Sequence, residues 1–276
     1  MSVTLRLLSY NLWEGMRPAG VEGDVSVEID RRRADAVQAV VAGLAPDVLV
    51  LNEALFCRPF AGTVVDYARL FSYPYEVGAL YDGAWGNAIL SRHPILDSHE
   101  MRIDDRGGLA AVIDTPAGRL TVATYHPHPQ RRPAHKAQDF VRLVQGVAGP
   151  LILCGDFNCI SPEDDIDERR LVESFRGFSN EAEAAVRRFI ESGEAVFREL
   201  ARLGLKDAVP ERGRRYSIPT DLINSDKSSG IRIDHILAND WITTLGGEVV
   251  HSAATNCASD HHPVMIDFAI NSGVVS

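Results

Sequence analysis

Residues 151–158 read LILCGDFN, and no other stretch so narrows what this chain can fold into. Four apolar residues, Leu151 to Cys154, meet a glycine and then present Asp156 and Asn158. A short apolar run that ends this abruptly reads as a buried strand. Side chains two apart on an extended chain face the same way, so the acid and the amide are offered together. In sheets flanked by helices, ligands bind beyond the carboxyl ends of strands. Asp and Asn also end strands simply by making turns, so what decides is whether other strands end in the same manner.

Several do. TLRLLSYN runs from Thr4 and ends on Asn11, and DVLVLNE runs from Asp47 and ends on Glu53. TVATYHPH ends an apolar stretch on His126 and His128. RIDHIL carries Asp234 and His235 between apolar residues, and SDHHPVMIDF opens the last strand with Asp260, His261 and His262. Every candidate polar residue thus stands at or inside the margin of a strand. Buried polar groups need partners, and acids, amides and imidazoles can supply them to one another or to a metal.

The chain has 276 residues, which suits one large domain or two small ones. At 45% hydrophobic and 24% charged residues it has an ordinary globular composition. No apolar run approaches the roughly 20 residues that span a bilayer. The start, MSVTLRLLSYN, has too short an apolar core for a signal peptide, so a cytoplasmic location is expected. None of the four cysteines (Cys57, Cys154, Cys159, Cys257) forms a CxxC pair, and they read as small hydrophobes or loop thiols. A net charge of −10 weakens the case for nonspecific binding to long duplex DNA, since phosphate neutralisation drives such binding.

Strands are expected at 4–10, 47–52, 75–80, 86–91, 109–114, 119–125, 151–154, 232–237, 248–252 and 263–270, and helices at about 30–45, 60–71, 133–147 and 180–204. The first helix has Asp30 as N-cap and Pro46 as stop; the third is announced by Pro133. Helices interrupt the strands in both halves, which predicts an α/β protein with mixed sheets covered by helices rather than an all-parallel barrel. No linker separates the halves and no short repeat occurs, so a single domain, 1–276, is expected, with a helical and loop insertion at about 161–230. The acidic run that opens the insertion (Glu163, Asp164, Asp165, Asp167, Glu168) lacks the alternating spacing of a calcium loop and reads as solvated.

Six blocks, SYNLWEG, LNE, WGNAILSRHPI, GDFN, RIDHIL and SDHHP, stand in the order seen in the endonuclease/exonuclease/phosphatase superfamily. The chain resembles that family from Leu5 to Phe268. The family includes deoxyribonuclease I-like nucleases, abasic-site endonucleases, inositol polyphosphate phosphatases and neutral sphingomyelinases. The resemblance implies a four-layer α/β sandwich, with two packed mixed β-sheets and helices on the outer faces. It also implies hydrolysis of phosphoester bonds with Mg²⁺ (or Mn²⁺).

Roles follow from the resemblance residue by residue. Glu53 resembles the principal metal ligand, Asp260 a second carboxylate near the metal, and Asn11 the asparagine that helps fix it. Asp156 resembles the residue that orients or deprotonates the attacking water. Asn158 resembles the amide that holds the water or a phosphoryl oxygen. His261 resembles the imidazole on the phosphate, Asp234 its carboxylate partner, and His126 a further donor to phosphate, with His128 and His135 as near competitors. His235 and His262 are expected to face away, since strand neighbours point oppositely. Asn87 is either a substrate contact or a backbone anchor. Elementary chemistry asks for the same set: phosphate hydrolysis needs concentrated negative charge offset, and a carboxylate to activate water.

The chain departs from the family pattern at Thr124, Tyr125 and His126, where an asparagine–threonine–histidine edge is usual. Nucleases of the deoxyribonuclease type give that histidine a carboxylate partner, for which Asp82 is the candidate here. Neither an inositol phosphatase nor a sphingomyelinase signature is intact, so the phosphoester substrate could be nucleic acid, lipid or small molecule. Two loops could set that choice: HPHPQRRPAHK, with Arg131, Arg132 and Lys136, and RGRRYSIPT, with Arg212, Arg214, Arg215 and Tyr216. Arginine forks suit phosphate and a tyrosine can stack on a base or sugar; the alternative is a pair of solvated basic loops. No obligate protein partner is evident. A non-catalytic phosphate- or nucleic-acid-binding module on the same fold is the rival reading.

Overall fold

The computed structural model describes residues 3–271 except 22, 82–84, 104–105, 178–179, 225–226 and 228–229. In chain order the strands are β1 (Leu5–Asn11), β2 (Val48–Asn52), the short pair β3 (Pro59–Phe60) and β4 (Thr63–Val64), β5 (Tyr75–Tyr81), β6 (Trp85–Ser91), β7 (Ile95–Ile103), β8 (Arg106–Thr115), β9 (Gly118–Tyr125), β10 (Leu151–Asp156), β11 (Lys206–Asp207), β12 (Asp234–Ala238), β13 (Ile242–Val249) and β14 (Val264–Ile270). The helices are α1 (Trp13–Met16), α2 (Arg31–Leu44), α3 (Tyr67–Phe71), α4 (Pro133–Val144), α5 (Glu168–Phe175), α6 (Ala182–Arg202) and α7 (Thr255–Ala258).

Two mixed six-stranded sheets carry the molecule, in the orders β13-β14-β1-β2-β6-β5 and β11-β12-β10-β9-β8-β7. Each has one parallel pair at its centre, β1–β2 in the first and β9–β10 in the second. Between the sheets lies an apolar core that includes Leu5, Leu7, Val48, Val50, Val122, Ile152, Cys154, Ile236 and Ile266. Alternate residues face outward instead. Leu8, Tyr10, Leu49 and Leu51 pack against the α2 side, and Leu151, Leu153 and Leu237 against α4 and α6. The result is the four-layer α/β sandwich expected.

This period-two register positions the site. The parity that sends Leu7, Val50, Val122 and Ile152 between the sheets sends Asn11, Asn52, Thr124 and Asp156 into the same space one or two steps further on. Both parallel pairs release their carboxyl ends at one edge of the sandwich. The antiparallel pairing of Asp156 with Asp234 and of β1 with β14 returns the ends of β12 and β14 to that edge.

Several expected elements change. The helix expected at 60–71 is a β3–β4 turn followed by α3, because Gly62 takes a left-handed φ of +81° and Asp66 caps the later start, accepting from Arg69 N at 2.8 Å. β7 has no counterpart among the expected strands. As an edge strand it is exposed at six of its nine residues, so it carries no apolar run. Within the stretch 161–230, α6 packs on α4 in the outer layer and β11 extends the second sheet. The acidic run of that stretch is not simply solvated. Asp167 caps α5, and Asp164 binds the buried Arg232 guanidinium at 2.7 Å beside Asp207.

Candidate active site

Left-handed backbone marks the places where polar side chains turn toward one another at the sandwich edge. Gly155 has φ +136°, and a Cβ there would lie 2.8 Å from Asn52 Oδ1 and 2.9 Å from Thr124 Oγ1. Glycine is thus required one residue before Asp156. Glu53 (φ +54°) and Asn158 (φ +48°) leave their strands through the same region. Residues 13–16 form a single left-handed turn, with φ from +47° to +62°. Such conformations cost roughly 1–2 kcal/mol per non-glycine residue and persist where the surroundings over-determine them, as at ligand clamps. Here the turn aims its amides at Glu53: Glu14 N donates to Glu53 Oε2 at 2.6 Å and Gly15 N to Glu53 O at 2.9 Å.

Asp156 is the hub. Its Oδ2 accepts from Asn11 Nδ2 at 3.1 Å and lies 3.3 Å from His126 Nε2 and 3.8 Å from His261 Nε2, while Oδ1 accepts from Asn158 N at 2.8 Å. Burial disfavours its charge, but the two imidazoles and the Asn158 amide outweigh that and hold its pKa well below the carboxylate range. Asn11 Nδ2 also reaches Glu53 Oε1 at 3.4 Å, and His126 Nε2 stands 3.8 Å from the same oxygen. His261 Nδ1 donates to Asp234 Oδ2 at 2.7 Å. Burial works against a charged imidazole there, yet Asp234, Asp260 and Asp156 raise the His261 pKa well above its ordinary value. Asp260 moves the other way. Burial, reinforced by the nearby Glu53 charge, lifts its pKa to about 6.

Asn11, Glu53, His126, Asp156, Asn158, Asp234, Asp260 and His261 therefore gather at one edge, although they come from strands in both sheets. Of the three competing histidines His126 is the one in contact with Asp156 and Glu53. Asn158 uses one side-chain N–H on Pro127 O at 3.0 Å. His235 faces the other way, packed between a tilted Phe157 ring and an edge-on Phe197 ring, with Nε2 donating to Cys159 O at 3.0 Å. His262 packs on His251 with ring centroids 4.0 Å apart. Asp82 lies outside the described residues; among those described, His126 Nδ1 has no partner.

The outlying residues behave differently. Asn87 is fully buried, donates to Gly107 O at 2.8 Å and accepts from Asn52 Nδ2 at 2.8 Å, so its amide serves neighbouring strands. Arg131 donates to Asp139 Oδ2 at 2.7 Å. Lys136 is wholly buried, against its expected place in a substrate loop, and donates from Nζ to Asn158 O at 2.8 Å. Arg214 pairs with Glu163 at 2.6 Å. Arg215 is exposed beside Tyr216, whose ring is 5.6 Å from that of His262.

Sequence reasoning missed Asn52, Arg33 and Ser259. Arg33, the third of three arginines opening α2, is buried and donates to Leu12 O, Arg17 O and Ala258 O at 2.6–3.0 Å, tying the left-handed turn to the Asp260 segment. Ser259 Oγ donates to Asn11 O at 2.7 Å. An RRR run at a helix start reads as surface charge, and only the approach of distant chain segments distinguishes Arg33 from its neighbours.

The donor set suits a hard divalent cation. Glu53 and Asp260 are hard oxygen donors; burial raises the Asp260 pKa, the Glu53 charge adds to it, and a cation would relieve both. Asp156, Asp234 and His261 also place ligand-type atoms within 4.8 Å of one another.

The model of the Endonuclease/Exonuclease/phosphatase family matches residues 8–261. No curated protein matches the sequence. Solved structures do. An endonuclease/exonuclease/phosphatase from Beutenbergia cavernae DSM 12333 is 21% identical with a TM-score of 0.70, over 99% of this chain and 73% of that one. The human Nocturnin catalytic domain with bound sulfate anion is 16% identical with a TM-score of 0.58, over 98% and 97%. D. rerio TDP2 complexed with single strand DNA product is 17% identical with a TM-score of 0.61, over 98% and 99%. At these identities the likeness is one of fold. No helix among the described residues is long and apolar enough to cross a membrane. With a family model matched over residues 8–261 and its polar blocks gathered at one sandwich edge, the chain belongs to the endonuclease/exonuclease/phosphatase family.

Proposed function

We propose that this protein is a Mg²⁺- or Mn²⁺-dependent phosphoesterase that cleaves phosphodiesters, acting in the cytoplasm without an obligate protein partner. The observation that carries the reading is Asp156 set between two imidazoles and bonded by the Asn11 amide that also reaches Glu53.

Glu53 and Asp260, with Asn11 beside them, would hold the cation. Asp234 is a poorer ligand, because its Oδ2 already accepts from His261 at 2.7 Å and a cation there would break that pair. When bound, the cation supplies Lewis-acid stabilisation of charge on the phosphoryl and leaving oxygens. Asp156 orients the attacking water. A carboxylate with a depressed pKa stays ionised to accept from the water and takes the proton only as the water oxygen bonds to phosphorus and becomes acidic itself. As the oxygen–phosphorus bond forms, the bond to the leaving oxygen breaks. His261, kept protonated by Asp234, and His126 donate to the phosphoryl oxygens where charge builds. Asn158 steadies the water or a phosphoryl oxygen from the same turn. Arg131, on leaving its pair with Asp139, and Arg215 would contact the rest of the substrate, and Asn87 would act from behind the site.

Nucleic acid and lipid or small-molecule diesters are both open to this chemistry. The single strand DNA product named for D. rerio TDP2 favours nucleic acid in the first panel tried. Pure protein with Mg²⁺ or Mn²⁺ should hydrolyse a bis-aryl phosphodiester or a member of a nucleic-acid and lipid panel, and EDTA should stop it. Asp156→Asn should lower kcat by about 10²–10⁴-fold and leave the protein folded. Absence of chelator-sensitive turnover on every phosphoester tried would overturn the reading.

A further inference from the structure

Between the sheets the core is apolar almost throughout, and Asn52 interrupts it at the edge that carries the site. The residue is fully buried. Its side chain crosses from the first sheet to the second. Oδ1 accepts from Asp156 N at 2.9 Å, and Nδ2 donates to Thr124 Oγ1 at 3.1 Å and to Asn87 Oδ1 at 2.8 Å. Asn87 in turn donates to Gly107 O at 2.8 Å on the second sheet. The main chain of Asn52 holds β1 as well, its carbonyl accepting from Leu12 N at 3.0 Å. The close approach is built in from both sides, since a Cβ at Gly155 would collide with Asn52 Oδ1 at 2.8 Å.

This matters because packed apolar faces are poor at fixing translation. The hydrophobic effect is non-directional, so Val50, Ile89, Val122 and Ile152 keep the sheets together without deciding how one slides over the other. A hydrogen bond is directional and loses strength within a few tenths of an ångström. Asn52 adjoins Glu53 in the chain and bonds the peptide N–H of Asp156. It therefore links the end of the strand bearing the cation carboxylate to the residue that aims the water. We propose that Asn52 is a positioning residue, a cross-sheet strut that sets the register of Asp156 against Glu53. The inference rests on the reading of Asp156 and Glu53 given above.

The test uses the full-length, Mg²⁺-loaded protein as wild type, Asn52→Leu, Asp156→Asn and the double variant, assayed on the bis-aryl phosphodiester. Asn52→Leu should lower kcat by about 10- to 100-fold, with KM nearly unchanged. The double variant should be no slower than Asp156→Asn alone, because the strut acts through Asp156. Losses that multiply in the double variant would mean a general structural role and would overturn the proposal. Hydrogen exchange at the Asp156 amide gives a readout without activity: it should quicken in Asn52→Leu while the Val50 and Leu153 amides stay protected. Unchanged exchange at Asp156 overturns the proposal even in a protein with no phosphoesterase turnover, an outcome that would refute the functional reading separately. Should Asn52→Leu not fold, Thr124→Val removes one anchor of the strut and should give the same pattern more weakly; multiplicative losses with Asp156→Asn would again overturn it.

Discussion

His261 has carboxylates on three sides. Asp234 is at 2.7 Å, Asp156 at 3.8 Å and Asp260 at 3.9 Å. Asp234 is the one that hydrogen-bonds to it, through Nδ1, which leaves Nε2 as the nitrogen facing Asp156 and the cleft. Replacement of Asp234 by Asn keeps the shape and removes the charge that favours the imidazolium. It should lower kcat/KM by about 10²–10⁴-fold; steady-state kinetics on the bis-aryl diester measures this, and a loss under threefold would remove Asp234 from the reaction. At this scale the sequence was legible wherever a polar residue ended or interrupted an apolar stretch: Asn11, Glu53 and Asp156 end one, and Asp234 stands inside one. Asn52 does not, because Glu53 follows it and ends the same run more conspicuously. Lys136 is misleading in sequence, being a basic residue in a basic stretch that the first turns of α4 carry inward to Asn158 O.

At the scale of elements, α6 shows how a helix far from the chemistry shapes it. Its Ser192 and Gly193 are buried where the helix crosses the chain just after Asn158. A Cβ on Gly193 would sit 1.7 Å from Ile160 O, closer than any contact allows. Gly193→Ala must therefore push α6 and the 158–160 loop apart. Overpacking of this kind costs about 1–3 kcal/mol. A urea titration should show that loss together with reduced kcat, and full stability with full activity would mean that the helix is not seated as described. Elements with an apolar face were readable from periodicity, as in α2, α4 and α6, and so were caps such as Asp30, which accepts from Arg32 N at 2.8 Å. β7 and α5 were not, because an exposed edge strand carries no apolar alternation and an eight-residue helix, though amphipathic, is shorter than the window over which a helical period is read.

Over the whole molecule, mild acidification acts on stability with opposing signs: the raised pKa values of His261 and Asp260 add stability as pH falls, and His235 supplies a defined destabilising part. Burial depresses its pKa below the ordinary histidine value, so the folded chain keeps the ring neutral. The unfolded chain takes up a proton near pH 6.5 while the folded one does not. The stability tied to this group is thus present above that pH and declines as pH falls below it, by up to about 1.4 kcal/mol per unit until the folded pKa is reached. Urea midpoints of EDTA-treated protein between pH 7.5 and 5.5 should show wild type losing stability relative to His235→Leu as pH falls; parallel slopes for the two proteins would show that His235 titrates normally. By itself the sequence determined the alternation of strands and helices, the polar residues that end the strands and the family to which their order belongs, because local periodicity and chain order are enough for these. Tertiary structure alone decided that two parallel pairs from different sheets release their ends at one edge, and that Asn52, Arg33, Lys136 and Ser259 brace what meets there. Those contacts join residues as far as 248 positions apart, as between Ser259 and Asn11, and their partners are chosen by sheet order and register rather than by any neighbour in the chain.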